Sequence, residues 1–151
     1  MEKKLNAVYL GLGSNLGDKI ANLNQALNLI SMEFGEITRT SSYYFSEPQG
    51  FISENEFVNL VIKVESKKLP YEILEGIKKI ERLMGRTSNT TGQYQDRIID
   101  IDILFHNSDI INEVNLVIPH PLILQREFVK SPLLEILDDL ALLKLCTNLN
   151  L

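Results

Sequence analysis

Strand-like and helix-like segments follow one another along this chain in the order β-α-β-β-α-β, with a hairpin and a helix after them. That order predicts an α+β ferredoxin-like sandwich. Apolar runs of strand length alternate with two stretches whose apolar residues recur at helical spacing. Glycine, proline and asparagine punctuate the joints. No internal repeat, low-complexity tract or linker divides the 151 residues, 44% of them hydrophobic, so a single domain spanning 1–151 is expected. The sheet is expected to be mostly antiparallel, with helices on one face, an added C-terminal hairpin and helix, and the other face left to loops or ligand.

Ala7 to Leu12 is a short apolar run, expected to be a buried strand. It enters the string Gly11-Leu12-Gly13-Ser14-Asn15-Leu16-Gly17-Asp18, read either as a tight strand-to-helix turn or as a mobile loop beside a ligand. Asp18 offers an N-cap, Ile20, Leu23, Leu27 and Ile30 form a helical stripe up to about Phe34, and Gly35 stops it. Ile37 to Phe45, rich in Thr, Ser and Tyr, reads as one exposed strand. Phe57 to Val64 reads as another, after the turn Glu47-Pro48-Gln49-Gly50. Leu69-Pro70 opens a second helix, striped by Ile73, Leu74, Ile77, Ile80 and Met84 and ended by Gly85. Arg86 to Asp96 is a long polar loop, and Ile98 to Phe105 is the strongest strand signal. A hairpin over 107–118, the rigid Pro119-His120-Pro121 and a terminal helix near Pro132 to Leu140 complete the chain.

The charge, 15 − 20 = −5, argues against a protein that coats nucleic acid or anionic membrane, yet leaves room for a local anion pocket. The lone Cys146 forms no internal disulfide or cysteine-rich zinc site and reads as a packing residue. Met1-Glu2-Lys3-Lys4 leads into no signal-peptide core, and no segment reaches the roughly 20 apolar residues of a membrane span. A soluble, cytoplasmic protein is expected.

Chemistry concentrates in Arg97-Ile98-Ile99-Asp100-Ile101-Asp102-Ile103-Leu104-Phe105. Alternation puts Ile99, Ile101, Ile103 and Phe105 on one face of the strand and Asp100 and Asp102 on the other, roughly 7 Å apart. Two carboxylates so placed repel one another and lose hydration. A hard divalent cation removes that conflict, because Mg²⁺ takes one or two carboxylates and completes its shell with water and phosphate. The bland alternative is an exposed strand that happens to carry two aspartates.

Arg86 and Arg97 bound the polar loop and are able to converge on one anion, and Arg126, His120 and Lys130 follow later. Each arginine alone also fits a solvated surface, and His120, between two prolines, fits ligand contact or a structural hydrogen bond. Two histidines without a cysteine cluster argue against zinc. The glycine string departs from G-x-G-x-x-G by one position and has no P-loop lysine. Phe57, Asn59 and Phe128 offer an aromatic slot and an amide for a planar heterocycle, with core packing as the alternative for each ring.

Together the string GLGSNLGD, the helix end Ile80-Glu81-Arg82-Leu83-Met84-Gly85-Arg86, RIIDIDILF and IPHPLILQREFV resemble the 6-hydroxymethyl-7,8-dihydropterin pyrophosphokinases, the diphosphokinase family of folate biosynthesis. The resemblance runs from about Ala7 to Leu140. It implies transfer of the β,γ-diphosphate of ATP, the co-substrate, to the hydroxymethyl oxygen of the dihydropterin, releasing AMP. It implies that Asp100 and Asp102 hold two Mg²⁺ ions, that Arg86 and Arg97 are catalytic and bind phosphate, and that His120 and Arg126 contact ATP. Around the pterin it implies Phe57, Phe128 and Asn59, with Ser46 and Gln49 approaching through their main chain. Tyr94, a lid candidate, stands where several relatives carry tryptophan, and Leu122 where many carry a basic residue. The substrates implied are small molecules, the chain a monomer, with association with neighbouring folate enzymes left open.

Neither a covalent intermediate nor a general base is assigned. The rival classes are a non-catalytic nucleotide-binding or partner-binding module and a phosphotransferase acting on another heterocyclic alcohol. Asp100, Asp102, Arg86 and Arg97 together speak against the first. Only Phe57, Asn59 and Phe128 bear on the second.

Overall fold

In a computed structural model that describes residues 4–47, 55–85 and 97–149, the first strand, β1 (Asn6–Ser14), outruns its apolar stretch. It is paired on both sides: to β4 (Phe57–Ser66), from Asn6 opposite Ser66 to Ser14 opposite Val58, and to β5 (Asp100–His106), from Val8 opposite His106 to Gly13 opposite Asp100. Two neighbours satisfy the backbone of Gly11 and Gly13 despite their poor strand propensity. The turn expected over 11–18 is therefore confined to 15–18, and Gly11-Leu12-Gly13-Ser14 is strand.

Asp18 caps α1 (Lys19–Phe34), its carboxylate accepting the Ala21 N–H at 3.1 Å. Gly35, at φ 139°, ends that helix and begins β2 (Gly35–Thr40). The single strand expected over 37–45 is two, β2 and β3 (Tyr44–Ser46), both antiparallel to β4. Ser41 breaks it. Its N–H donates to the Val61 carbonyl, but its own hydroxyl oxygen accepts the Val61 N–H at 2.9 Å in place of its carbonyl.

Glu72 accepts the Leu69 N–H at 2.8 Å at the start of α2 (Pro70–Leu83), which packs Ile73, Ile77 and Ile80 inward. The order β2-β4-β1-β5, every pair antiparallel, is that of the predicted sandwich. Helices α1 and α2 bury the face bearing Val8, Leu10, Leu12, Leu60, Ile62, Val64, Ile101 and Ile103. At their crossing Gly76 lies against Phe34, and a Cβ there would fall inside the ring. Gly76→Ala is expected to lower stability by roughly 1–3 kcal/mol through overpacking. The denaturant midpoint checks this, with the slope unchanged.

The expected hairpin is β6 (Ile111–Glu113) with β7 (Leu116–Ile118). The terminal helix expected over 132–140 is instead two, α3 (Glu127–Ile136) and α4 (Asp139–Asn148). Helix α3 starts early because the Arg126 carbonyl takes the N–H groups of Val129 and Lys130, each at 2.9 Å, so Pro132 lies inside it. Asp138 then caps a new helix, accepting the Ala141 N–H at 2.7 Å.

The C-terminal segment covers part of the second sheet face as a third layer. The Glu135 carboxylate of α3 accepts both the N–H and the hydroxyl of Ser42, at 2.9 and 2.7 Å. Burial, reinforced by nearby Asp138, pushes the Tyr9 phenol on that face up to about 12. A bulge in β5 corrects the expected alternation. Leu10 pairs with Ile103 but Tyr9 with Phe105, so Leu104 is extra. Phe105 therefore leaves the face of Ile101 and Ile103 and stacks on Tyr9, ring centroids 4.3 Å apart. Among the described residues no helix is long and apolar enough to cross a membrane.

Candidate active site

Registers and alternation build the site on the second sheet face. Asp100 is opposite Gly13 and Asp102 opposite Gly11. On the far side of β1, Gly13 is opposite Asn59 and Gly11 opposite Val61. A row thus runs Asp100, Gly13, Asn59, Tyr44 across four strands. With strands about 4.8 Å apart, the backbones of Asp100 and Asn59 are roughly 10 Å apart. The strand between them presents no side chains at Gly11 and Gly13.

Gly13 is what lets the neighbours close in. A Cβ there would lie 3.0 Å from Asn59 Oδ1 and 3.3 Å from the Phe57 ring. Asn59 is 5% exposed. Its Nδ2 donates to the Tyr44 carbonyl at 3.0 Å and to Ser46 Oγ at 2.7 Å. A carbonyl only accepts, so this fixes the amide's orientation and aims Oδ1 at Gly13. The β4–β3 pairing thereby assembles Phe57, Asn59 and Ser46 in one cluster.

Across the glycine floor, Arg97 Nη1 donates to Asp100 Oδ1 at 3.2 Å, the two side chains 12% and 32% exposed. Such a charge-assisted bond in partial burial holds the guanidinium beside the acidic strand. Between the aspartates, the Ile101 N–H points off the sheet edge and donates to Glu81 Oε2 of α2 at 3.0 Å. That contact supplies the partner which an edge strand lacks.

His120 is tied to β5 by its own N–H, which donates to the Leu104 carbonyl at 2.7 Å, and its Nδ1 accepts the Leu122 N–H at 3.1 Å. A neutral ring therefore carries its proton on Nε2 as a donor. Burial, then Arg126, push the His120 imidazolium below its ordinary pKa near 6.5, while Asp100 pulls the other way. A lowered folded-state pKa means that the stabilisation is complete above about pH 6.5 and lost as the pH falls toward the folded value. Stability is accordingly expected to fall on acidification below pH 6.5, and less steeply in His120→Gln. Urea midpoints from pH 7.5 to 5 read this, and equal slopes in the two proteins would remove His120 from the cause.

The structure thus brings Arg97, Asp100, Asp102 and His120 together, with Arg126 close enough to bias His120. It brings Ser46, Phe57 and Asn59 together on the other side. Arg126 and Phe128 meet each other, the guanidinium 5.7 Å over the ring. Arg86, Tyr94 and Gln49 lie outside the described residues. Sequence reasoning read Gly11, Gly13 and Asn15 only as part of a turn or a loop beside a ligand, and gave Glu81 no role of its own. Glycines two apart signal one bare strand face, but only if strand continues through them. Asn15 and Glu81 act on partners 82 and 20 residues away, which no local pattern reveals.

The profile of the family described as 7,8-dihydro-6-hydroxymethylpterin-pyrophosphokinase (HPPK) matches residues 9–138. A protein of Porphyromonas gingivalis named 2-amino-4-hydroxy-6-hydroxymethyldihydropteridine pyrophosphokinase is 42% identical over 131 residues, covering 85% of this chain and 89% of that one. One of the same name from Aquifex aeolicus is 42% identical over 129 residues, covering 85% and 79%. The crystal structure of Plasmodium falciparum HPPK-DHPS with pteroate superposes with a TM-score of 0.69 at 20% identity, which speaks to the fold. It aligns with 85% of this chain, which spans 40% of that longer one. A profile match over most of the chain, with relatives above 40% identity nearly end to end, shows that the chain belongs to the 7,8-dihydro-6-hydroxymethylpterin-pyrophosphokinase family.

Proposed function

We propose that the family's reaction takes place over the glycine floor of β1. The chain is a pyrophosphokinase of folate biosynthesis. It transfers the β,γ-diphosphate of ATP to the hydroxymethyl oxygen of 6-hydroxymethyl-7,8-dihydropterin and releases AMP. One observation carries the placement: the acidic pair and the Asn59–Phe57–Ser46 cluster flank Gly11 and Gly13 on one sheet face. A diphosphate lying over the bare strand would link a nucleotide on the β5 side to a ring on the β4 side.

The donor set of Asp100 and Asp102 fits Mg²⁺. Both are hard carboxylate oxygens on one strand face, and among the described residues no third His, Cys, Asp or Glu completes a protein-only cage. Asp100 and Asp102 would hold the two ions that the resemblance implies, with water and phosphate oxygen left to complete the shell. When bound, Mg²⁺ supplies charge neutralisation of the triphosphate.

The residues do the rest. Arg97, held beside Asp100, stabilises charge on the transferring group, and Arg86 is assigned the same work from the resemblance. Neutral His120 donates from Nε2 to phosphate oxygen, and Arg126, its guanidinium over the Phe128 ring, adds a fork of donors. Phe57 and Phe128 hold the pterin ring, with Asn59 Oδ1 accepting from its edge. The resemblance assigns Ser46 and Gln49 a main-chain approach to the pterin and makes Tyr94 a lid candidate. A single domain over 1–151 carries all of this as a cytoplasmic monomer, and its net charge of −5 supports small-molecule substrates rather than nucleic acid or membrane.

AMP release from MgATP is the test, with and without the dihydropterin and with and without EDTA. AMP that requires the pterin and vanishes with the chelator is expected. AMP release indifferent to the pterin would overturn the substrate, and indifference to EDTA would overturn the metal.

A further inference from the structure

Asn15 follows the last residue of β1 and is completely buried, at 0% exposure. Its side-chain Oδ1 accepts the Arg97 N–H at 2.7 Å, and its own N–H donates to the Arg97 carbonyl at 3.1 Å. Both backbone groups of Arg97 are thereby clamped by one residue, three positions before the Asp100 with which the Arg97 guanidinium pairs. The remaining donor, Nδ2, reaches the Asn55 carbonyl at 3.4 Å, two positions before Phe57. One buried amide therefore touches both arms of the site, 82 residues away on one side and 40 on the other.

We propose that Asn15 is a positioning residue. It holds Arg97 on the nucleotide side and the entry to Phe57 on the pterin side in one register, so that the two substrates meet in line. This rests on the reading of the site given above. The amide suits the task because it accepts on one end and donates on the other, and both segments face it with the matching backbone group. Burial makes a mismatch costly, since water cannot replace a lost partner. A clamp of this kind shows itself as a difference between the two substrates rather than as a uniform loss.

Asn15→Asp separates the two ends. A carboxylate oxygen still accepts from the Arg97 N–H, but the Asn55 carbonyl now faces an acceptor. The KM for MgATP is expected to stay within about twofold while kcat/KM for the pterin falls roughly tenfold, one hydrogen bond's worth. Asn15→Leu removes both ends, and the KM for MgATP is expected to rise while kcat/KM for the pterin falls. Equal changes for the two substrates in Asn15→Asp, or none, would overturn the proposal while leaving the activity of the wild-type protein in place. Should the buried carboxylate prevent folding, Asn15→Ser replaces it, too short to span both segments. Retention of both wild-type parameters in that variant would overturn the proposal. Absence of pterin-dependent AMP from the wild-type protein would overturn the reading of the site itself, and this inference with it.

Discussion

Asp102→Ala is expected to lower pterin-dependent AMP release by roughly 10²–10⁴ while the protein stays folded. The carboxylate sits partly exposed on β5, opposite Gly11, on the same face as Asp100. Its removal takes away one of two hard oxygen donors from a partly exposed position, where truncation opens no cavity in the core. The loss belongs to the charge stabilisation that several kcal/mol of transition-state binding represents. Turnover at saturating MgATP and the thermal midpoint are the two readings. Wild-type-like turnover in a folded variant would remove Asp102 from the metal-holding role.

Gly13→Val is expected to lower kcat/KM for the dihydropterin by roughly 10²-fold, with MgATP affinity changed by no more than about threefold. A Cβ alone arrives 3.0 Å from Asn59 Oδ1 and 3.3 Å from the Phe57 ring, and valine adds two methyls to that contact. Asn59 has no easy retreat, because both its Nδ2 bonds anchor it to β3. Displacement therefore moves the slot rather than a flexible tip. Gly11→Ala is the comparison, since the nearest atoms to its Cβ belong to Leu104, at an ordinary 3.5 Å. Its effect is expected to be several-fold smaller. Equal losses in the two variants would show that bulk anywhere on β1 matters and that Gly13 has no special relation to the slot.

Much of this architecture was legible from local pattern. The caps at Asp18 and Gly35, the Leu69-Pro70 start of α2 and the stripes of α1 and α2 follow from side-chain chemistry within a few residues. The shared face of Asp100 and Asp102 follows from period-2 alternation alone, and so did the expectation that they act as a pair. The resemblance through RIIDIDILF directed attention to the correct family, which the profile match over 9–138 bears out.

Where the reading departed from the structure, a distant partner decided. Ser41 breaks an edge strand by offering its hydroxyl to Val61, 20 residues on. Phe105 changes face because β1 and β5 pair through a bulge, and alternation within one strand contains no information about its neighbour's register. The strand through Gly11 and Gly13 reads as a turn by composition and becomes strand because β4 and β5 pair with it from both sides.

Composition, spacing and motif sufficed for the family, the order of elements and the acidic pair, because each depends on residues that are near neighbours in the chain. The bare glycine floor, its flanking by Asp100 and Asn59, the Glu81 support under Ile101 and the Asn15 clamp exist only once four strands are in register. They depend on hydrogen bonds and packing between segments tens of residues apart, whose alignment no local preference specifies.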